Sequence, residues 1–114
     1  MHNKTISVAR DFSPYPGPRY IVQGPYSGEK FRPLLSRALR EHDSVTVDLD
    51  GTTGFGSSFL DEVFGGLVRN EGFRLDDLQK RLHIISVLDA SYKVEAWESI
   101  REAEQFVAAS KRPA

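Results

Sequence analysis

The chain of 114 residues, 39% hydrophobic and 27% charged, has the make-up of one globular domain spanning residues 1–114, too small to enclose a cleft between two domains. Fifteen basic against sixteen acidic residues give a formal net charge of −1, which excludes any overall pull toward nucleic acid or an anionic membrane. The lack of cysteine excludes disulfides and thiolate chemistry, and no apolar run nears the roughly 20 residues of a membrane span or follows Met1 as a secretory signal would, so a cytoplasmic protein is expected.

Residues 5–9 read as a first strand with Ile6 and Val8 on one face. Pro14, Pro16, Gly17 and Pro18 then enforce a turn, because proline cannot donate a backbone hydrogen bond. Tyr20, Ile21 and Val22 suggest a second strand closed by Gly24-Pro25, and the two strands are expected to pair as a hairpin. Phe31, Leu34, Leu35, Ala38 and Leu39 follow helical spacing, and Pro33 is tolerated only in a first turn, which puts the start of this helix near residues 28–30. Val45, Val47 and Leu49 alternate with polar residues as in a half-buried strand.

After a glycine-rich turn, Ser57 and Ser58 open an amphipathic helix whose stripe is Phe59, Leu60, Val63, Phe64, Leu67 and Val68. Either serine can cap it, with Asp61 three residues after Ser58 as in a capping box. Gly72 is a natural stop, followed by a short helical pattern of Leu75, Leu78 and Leu82. Residues 82–88 are almost continuously apolar, as in a strand covered on both faces or lying centrally. A last amphipathic helix over residues 92–107 carries Ala96, Trp97, Ile100, Ala103 and Val107. The expected fold class is α/β (α+β): a small mixed sheet of about four strands with an N-terminal hairpin at one edge and helices packed on it.

The segment Gly51-Thr-Thr-Gly-Phe-Gly56-Ser-Ser lies between strand and helix, as a phosphate loop does, and helix N-termini favour anions. Ser57 stands where such a loop needs lysine, and Phe59 where a dinucleotide fingerprint needs its third glycine, so both readings are disfavoured. A serine hydrolase built from Ser57 or Ser58 with His83 and Asp48 or Asp89 fails on the glycine spacing of a nucleophile elbow. His83 is expected to be a structural histidine in a buried strand, and His42 to interact with a helix dipole. The histidines are too scattered for metal ligands, so no metal, no cofactor and no enzymatic activity are expected.

Asp61 and Glu62 are expected to complement the dipole of their helix, and Arg32, Arg37 and Arg40 to form a solvated face. Gly65-Gly66 inside a helix costs about 1 kcal/mol per glycine relative to alanine. That cost points either to a close approach of another element or to a flat patch offered to a partner.

The segment Val45-Thr-Val-Asp-Leu-Asp, a short turn, the Ser57-Ser58 pair and a helix together resemble the STAS domain family, the fold of bacterial anti-sigma-factor antagonists. The order of elements is similar from about Tyr20 to Val107, and the form Gly-Ser-Ser-Phe-Leu-Asp-Glu-Val-Phe-Gly-Gly-Leu resembles a bacterial STAS-like branch, some members of which accompany histidine-kinase-type ATPase modules. The resemblance implies a binding switch: the antagonist docks on an ATPase-type kinase partner, and phosphorylation of the helix-start serine breaks the contact. It puts the phosphorylated serine at Ser57, with Ser58 beside it, and the docking surface at Gly54, Phe55, Gly56, Ser57, Ser58, Phe59, Asp61 and Glu62. The acidic residue that precedes the serine in the antagonists is Gly56 here, and Asp61 and Glu62 would repel a phosphate. The expected function is thus a non-enzymatic regulatory protein-interaction module. The alternative is a small-ligand sensor holding an anion or nucleotide at the N–H groups of residues 56–59.

Overall fold

A computed structural model describes residues 2–110. Strand β1 (Asn3–Ser7) is followed by helix α1 (Gly28–Glu41), strand β2 (Ser44–Asp48), helices α2 (Ser57–Leu60), α3 (Gly66–Arg69) and α4 (Leu75–Arg81), strand β3 (Leu82–Ile85) and helix α5 (Ala90–Ser110). Between α2 and α3, Asp61–Gly65 forms one π-helical turn, so residues 57–69 run as a single helix with a widened middle. Gly66 N–H closes that turn on the Asp61 carbonyl.

The expected α/β architecture is present, but the sheet has three strands in the order β1-β2-β3 and every pairing is parallel. The hairpin is absent for a local reason. Ser7 Oγ accepts the Arg10 N–H at 3.2 Å and Asp11 accepts the Ser7 N–H at 2.8 Å, which ends β1 in a π turn, Val8–Phe12. The apolar triplet at residues 20–22 holds a 3-10 turn, Ile21–Gln23, because Ile21 N–H goes to the Glu29 carboxylate at 2.8 Å instead of to a neighbouring strand.

Strand β3 lies at an edge, not at the centre. Leu82 and Ile84 point into the core while His83 and Ile85 are exposed, so His83 is no buried structural residue. Val87 and Leu88 emerge into water past the strand end, where both carboxylate oxygens of Asp50 capture their N–H groups at 3.0 and 2.9 Å. Ile6, Val45, Val47, Leu82 and Ile84 make one buried sheet face, and the row Thr5, Thr46, His83 occupies the other. Phe31, Leu35 and Leu39 of α1, Phe59, Leu60, Val63, Phe64 and Leu67 of the central helix, and Ala96, Ile100 and Ala103 of α5 complete the core. Leu34, on the same predicted stripe, is 48% exposed.

Two glycine positions are set by close approach. A Cβ at Gly28 would lie 2.8 Å from the Phe59 carbonyl oxygen, so α1 can start against the central helix only with glycine there. At Gly66 a Cβ would lie 2.7 Å from Arg32 Cδ, which resolves the Gly65-Gly66 question in favour of close approach: both glycines are buried, and what approaches Gly66 is an arginine side chain.

Candidate interaction site

The turn after β2 is shaped from within. Asp48 accepts the Asp50 N–H at 2.9 Å, and Gly51 and Gly54 take positive φ angles of 90° and 120°. Phe55 turns inward, its ring 5.3 Å from both Phe59 and Tyr92, and Phe59 stacks at 6.3 Å on Phe31. These contacts pull the turn down onto the core and leave the helix start above it.

The N-cap is Gly56, with no side-chain cap, so neither serine performs the capping expected of it. Ser57 Oγ instead donates to Glu95 of α5 at 2.6 Å, and Ser58 is exposed. Of the residues expected to face a partner, Gly56, Ser57 and Ser58 are brought together at the surface, while Gly54 and Asp61 are half-buried. Phe55, Phe59 and Glu62 are corrected: all three are buried, because they fall on the inward side of the turn and helix beside Leu60 and Val63.

Glu62 is the chemically costly residue of the set, since a buried carboxylate must be paired. Arg32 Nη1 bonds its Oε2, and Arg19 Nη1 reaches its Oε1 at 3.2 Å. The network continues both ways. Arg19 also holds Asp61 at 2.9 Å, which Arg69 grips at 3.0 Å, and Arg32 Nε holds Glu71 at 3.1 Å, whose backbone carbonyl accepts from Arg40 at 3.0 Å. Arg32 was expected in a solvated face, but its side chain is 12% exposed and belongs to this network. Arg37 alone of the three fits the expectation fully, exposed and paired with Glu41 one turn away.

The ionisation of the network follows from its geometry. Burial raises the Asp61 pKa, but hydrogen bonds from Arg19 and Arg69 outweigh it and hold the carboxyl below its ordinary value. Burial likewise opposes the charge on Glu71, and Arg32 with Ser36 outweighs it, lowering that pKa as well. Burial also works against the Arg19 charge, yet Asp61 and Glu62 raise its pKa above the usual value.

Two depressions flank Arg19. One, a polar cavity of about 450 Å³, runs past Tyr20, Glu29 and Asn70 to Arg32 and Arg69. The other, also about 450 Å³, lies between the helix start and α5 and is lined by Ser57, Ser58, Asp61, Glu95, Glu98 and Glu102. The second is acidic, and the Glu95 carboxylate is held beside the helix start by Ser57 Oγ. Among the described residues no cluster of three or more His, Asp or Glu side chains could hold a metal ion, and no hydrogen bond joins a histidine to Ser57 or Ser58.

Arg19, Arg69 and Glu71 escaped the sequence reading. The available signal was Glu62 itself: a carboxylate inside an apolar helical stripe, next to two glycines, demands a cation from elsewhere in the chain.

The family model described as "STAS-like domain of unknown function (DUF4325)" matches residues 27–91, more than half of the chain. No curated protein and no solved structure matches it.

Proposed function

The chain belongs to this STAS-like family, and from that premise we propose that it is a non-enzymatic regulatory module that docks on a protein partner of the kinase-like ATPase class through the start of its central helix. The observation that carries the reading is the exposed Gly56, Ser57 and Ser58 at a helix start whose neighbours are fixed by ion pairs on one side and by aromatic packing on the other. A surface already rigid loses little conformational entropy on docking.

A serine switch fits the same spot. A phosphate on Ser57 would add roughly two negative charges in place of a hydroxyl now bonded to Glu95, beside Asp61 and Glu98. Repulsion would open the helix start away from α5 and change the face a partner meets. The same carboxylates count against free anion or nucleotide binding there, which makes protein docking the better reading.

The test is affinity capture from the native host with wild type and Ser57→Asp, with retained proteins identified by mass spectrometry. Wild type should hold a kinase-like ATPase that Ser57→Asp loses. Retention of no such protein, or of the same proteins by both forms, would sink the proposal.

A further inference from the structure

Residues 13–27 carry Pro14, Pro16, Pro18 and Pro25 and lie almost wholly ahead of the matched segment. Their loop closes on the start of α1, with Gly17 N–H bonded to the Tyr26 carbonyl at 2.8 Å and Gly28 N–H to that of Pro18 at 2.9 Å. At the tip, Tyr20 N–H reaches the Gln23 side chain at 2.9 Å, Gln23 N–H returns to the Tyr20 carbonyl at 3.0 Å, and Ile21 N–H is held by Glu29. Arg19 ties the base of the tip to Asp61 and Glu62. This rigid turn holds Ile21 and Val22, 57% and 91% exposed, out in water beside half-exposed Tyr20.

Burying two such aliphatic side chains takes apolar surface out of water and so favours docking. A tip whose turn is already closed by hydrogen bonds at Tyr20, Ile21 and Gln23 forfeits little on docking, so it is a pre-formed apolar anchor. Across Arg19 begins the groove of Ser57 and Ser58, where Glu98 and Glu102 are exposed and make no ion pair among the described residues. Asp61 is shared by Arg19 and Arg69, which leaves Glu95, Glu98 and Glu102 as the carboxylates of the groove without an ion pair among the described residues.

We propose that Ile21 and Val22 anchor a protein-docking face that crosses Arg19 into this acidic groove. Its partner presents an apolar cleft bordered by lysine or arginine. The inference rests on the docking-module reading and adds the loop of residues 13–27 to its surface. Charge selects the class of partner: the groove attracts a basic protein rim and repels the anionic headgroups that a membrane-inserting tip would meet.

Site-directed photocrosslinking in the native host tests this, with p-benzoylphenylalanine replacing Val22, Ser58 or, as a control on the opposite sheet face, Thr5. Positions 22 and 58 should attach to one protein, through peptides in which apolar residues adjoin lysine or arginine, while position 5 does not. Adding Glu95→Lys and Glu98→Lys should cut the adduct at position 22 roughly tenfold, since rim charge reversal slows association. An adduct from position 58 but not 22 overturns the anchor and leaves the module reading standing. An adduct from 22 alone keeps the anchor and removes the helix start from the docking face. Adducts from neither position, adducts to lipid, or indifference to charge reversal overturn the inference.

Discussion

Replacing Glu62 with alanine should destabilise the fold far more than losing an exposed charge such as Arg37. Its side chain is 9% exposed and that of its partner Arg32 is 12% exposed, so removing the carboxylate strands a nearly buried guanidinium. Breaking a buried pair by deleting one partner costs roughly 3–5 kcal/mol. Here Arg32 keeps Glu71 and Arg19 keeps Asp61, which softens the loss to about 2–3 kcal/mol. For a domain of this size that corresponds to a fall in melting temperature on the order of 10–15 °C. Urea denaturation of wild type, Glu62→Ala, Arg32→Met and the double variant measures it. The double variant should recover a large part of the single-variant loss, because the stranded charge has gone. Arg37→Ala, which breaks an exposed pair, should change stability by no more than about 0.5 kcal/mol. If Glu62→Ala matched Arg37→Ala, the pairing of a buried charge would not be what holds the central helix.

Asp61 and Glu71 have folded pKa values below their unfolded ones, so the stability they add is present above the ordinary carboxylate range and lost as pH falls through the lower folded values. The urea midpoint should therefore drop below pH 4 more steeply in wild type than in Asp61→Asn, and equal slopes would contradict the ion-pair geometry. Ser57→Asp sets a carboxylate against Glu95 and should lower the melting temperature by a few degrees, whereas Ser57→Ala, losing one exposed hydrogen bond, should move it by about half as much or less. Gly54→Ala forces a side chain into φ 120° with the Tyr92 hydroxyl 2.8 Å from its Cβ, and should cost on the order of 2 kcal/mol by urea denaturation; a neutral result would refute the turn geometry.

The regular elements were readable because their signals are local. Phe31, Leu35, Ala38 and Leu39 repeat at helical spacing and are all buried, and Val45, Val47 and Leu49 alternate and are buried too. Residues 20–22 misled because an apolar triplet is too short to show a period, and its fate was decided by a carboxylate eight residues later, Glu29. The capping serines misled for a similar reason: Ser57 is drawn to Glu95, 38 residues away. The site itself was legible as a helix start but not as a network. Arg19 and Asp61 stand 42 residues apart, and no periodicity connects them.

The widened turn at residues 61–65 has a further effect, on register. A π turn takes one residue more than an α turn, so the serines and the glycines of this helix are in separate rotational phases. Deleting one residue there would restore an even spiral and swing everything beyond it by about 100°. Ser57 and Ser58 would still look outward, but the bare backbone that now accommodates Arg32 would face elsewhere. Length in this stretch is therefore constrained along with composition: a changed side chain acts at its own position, whereas a shortened turn displaces every residue beyond it.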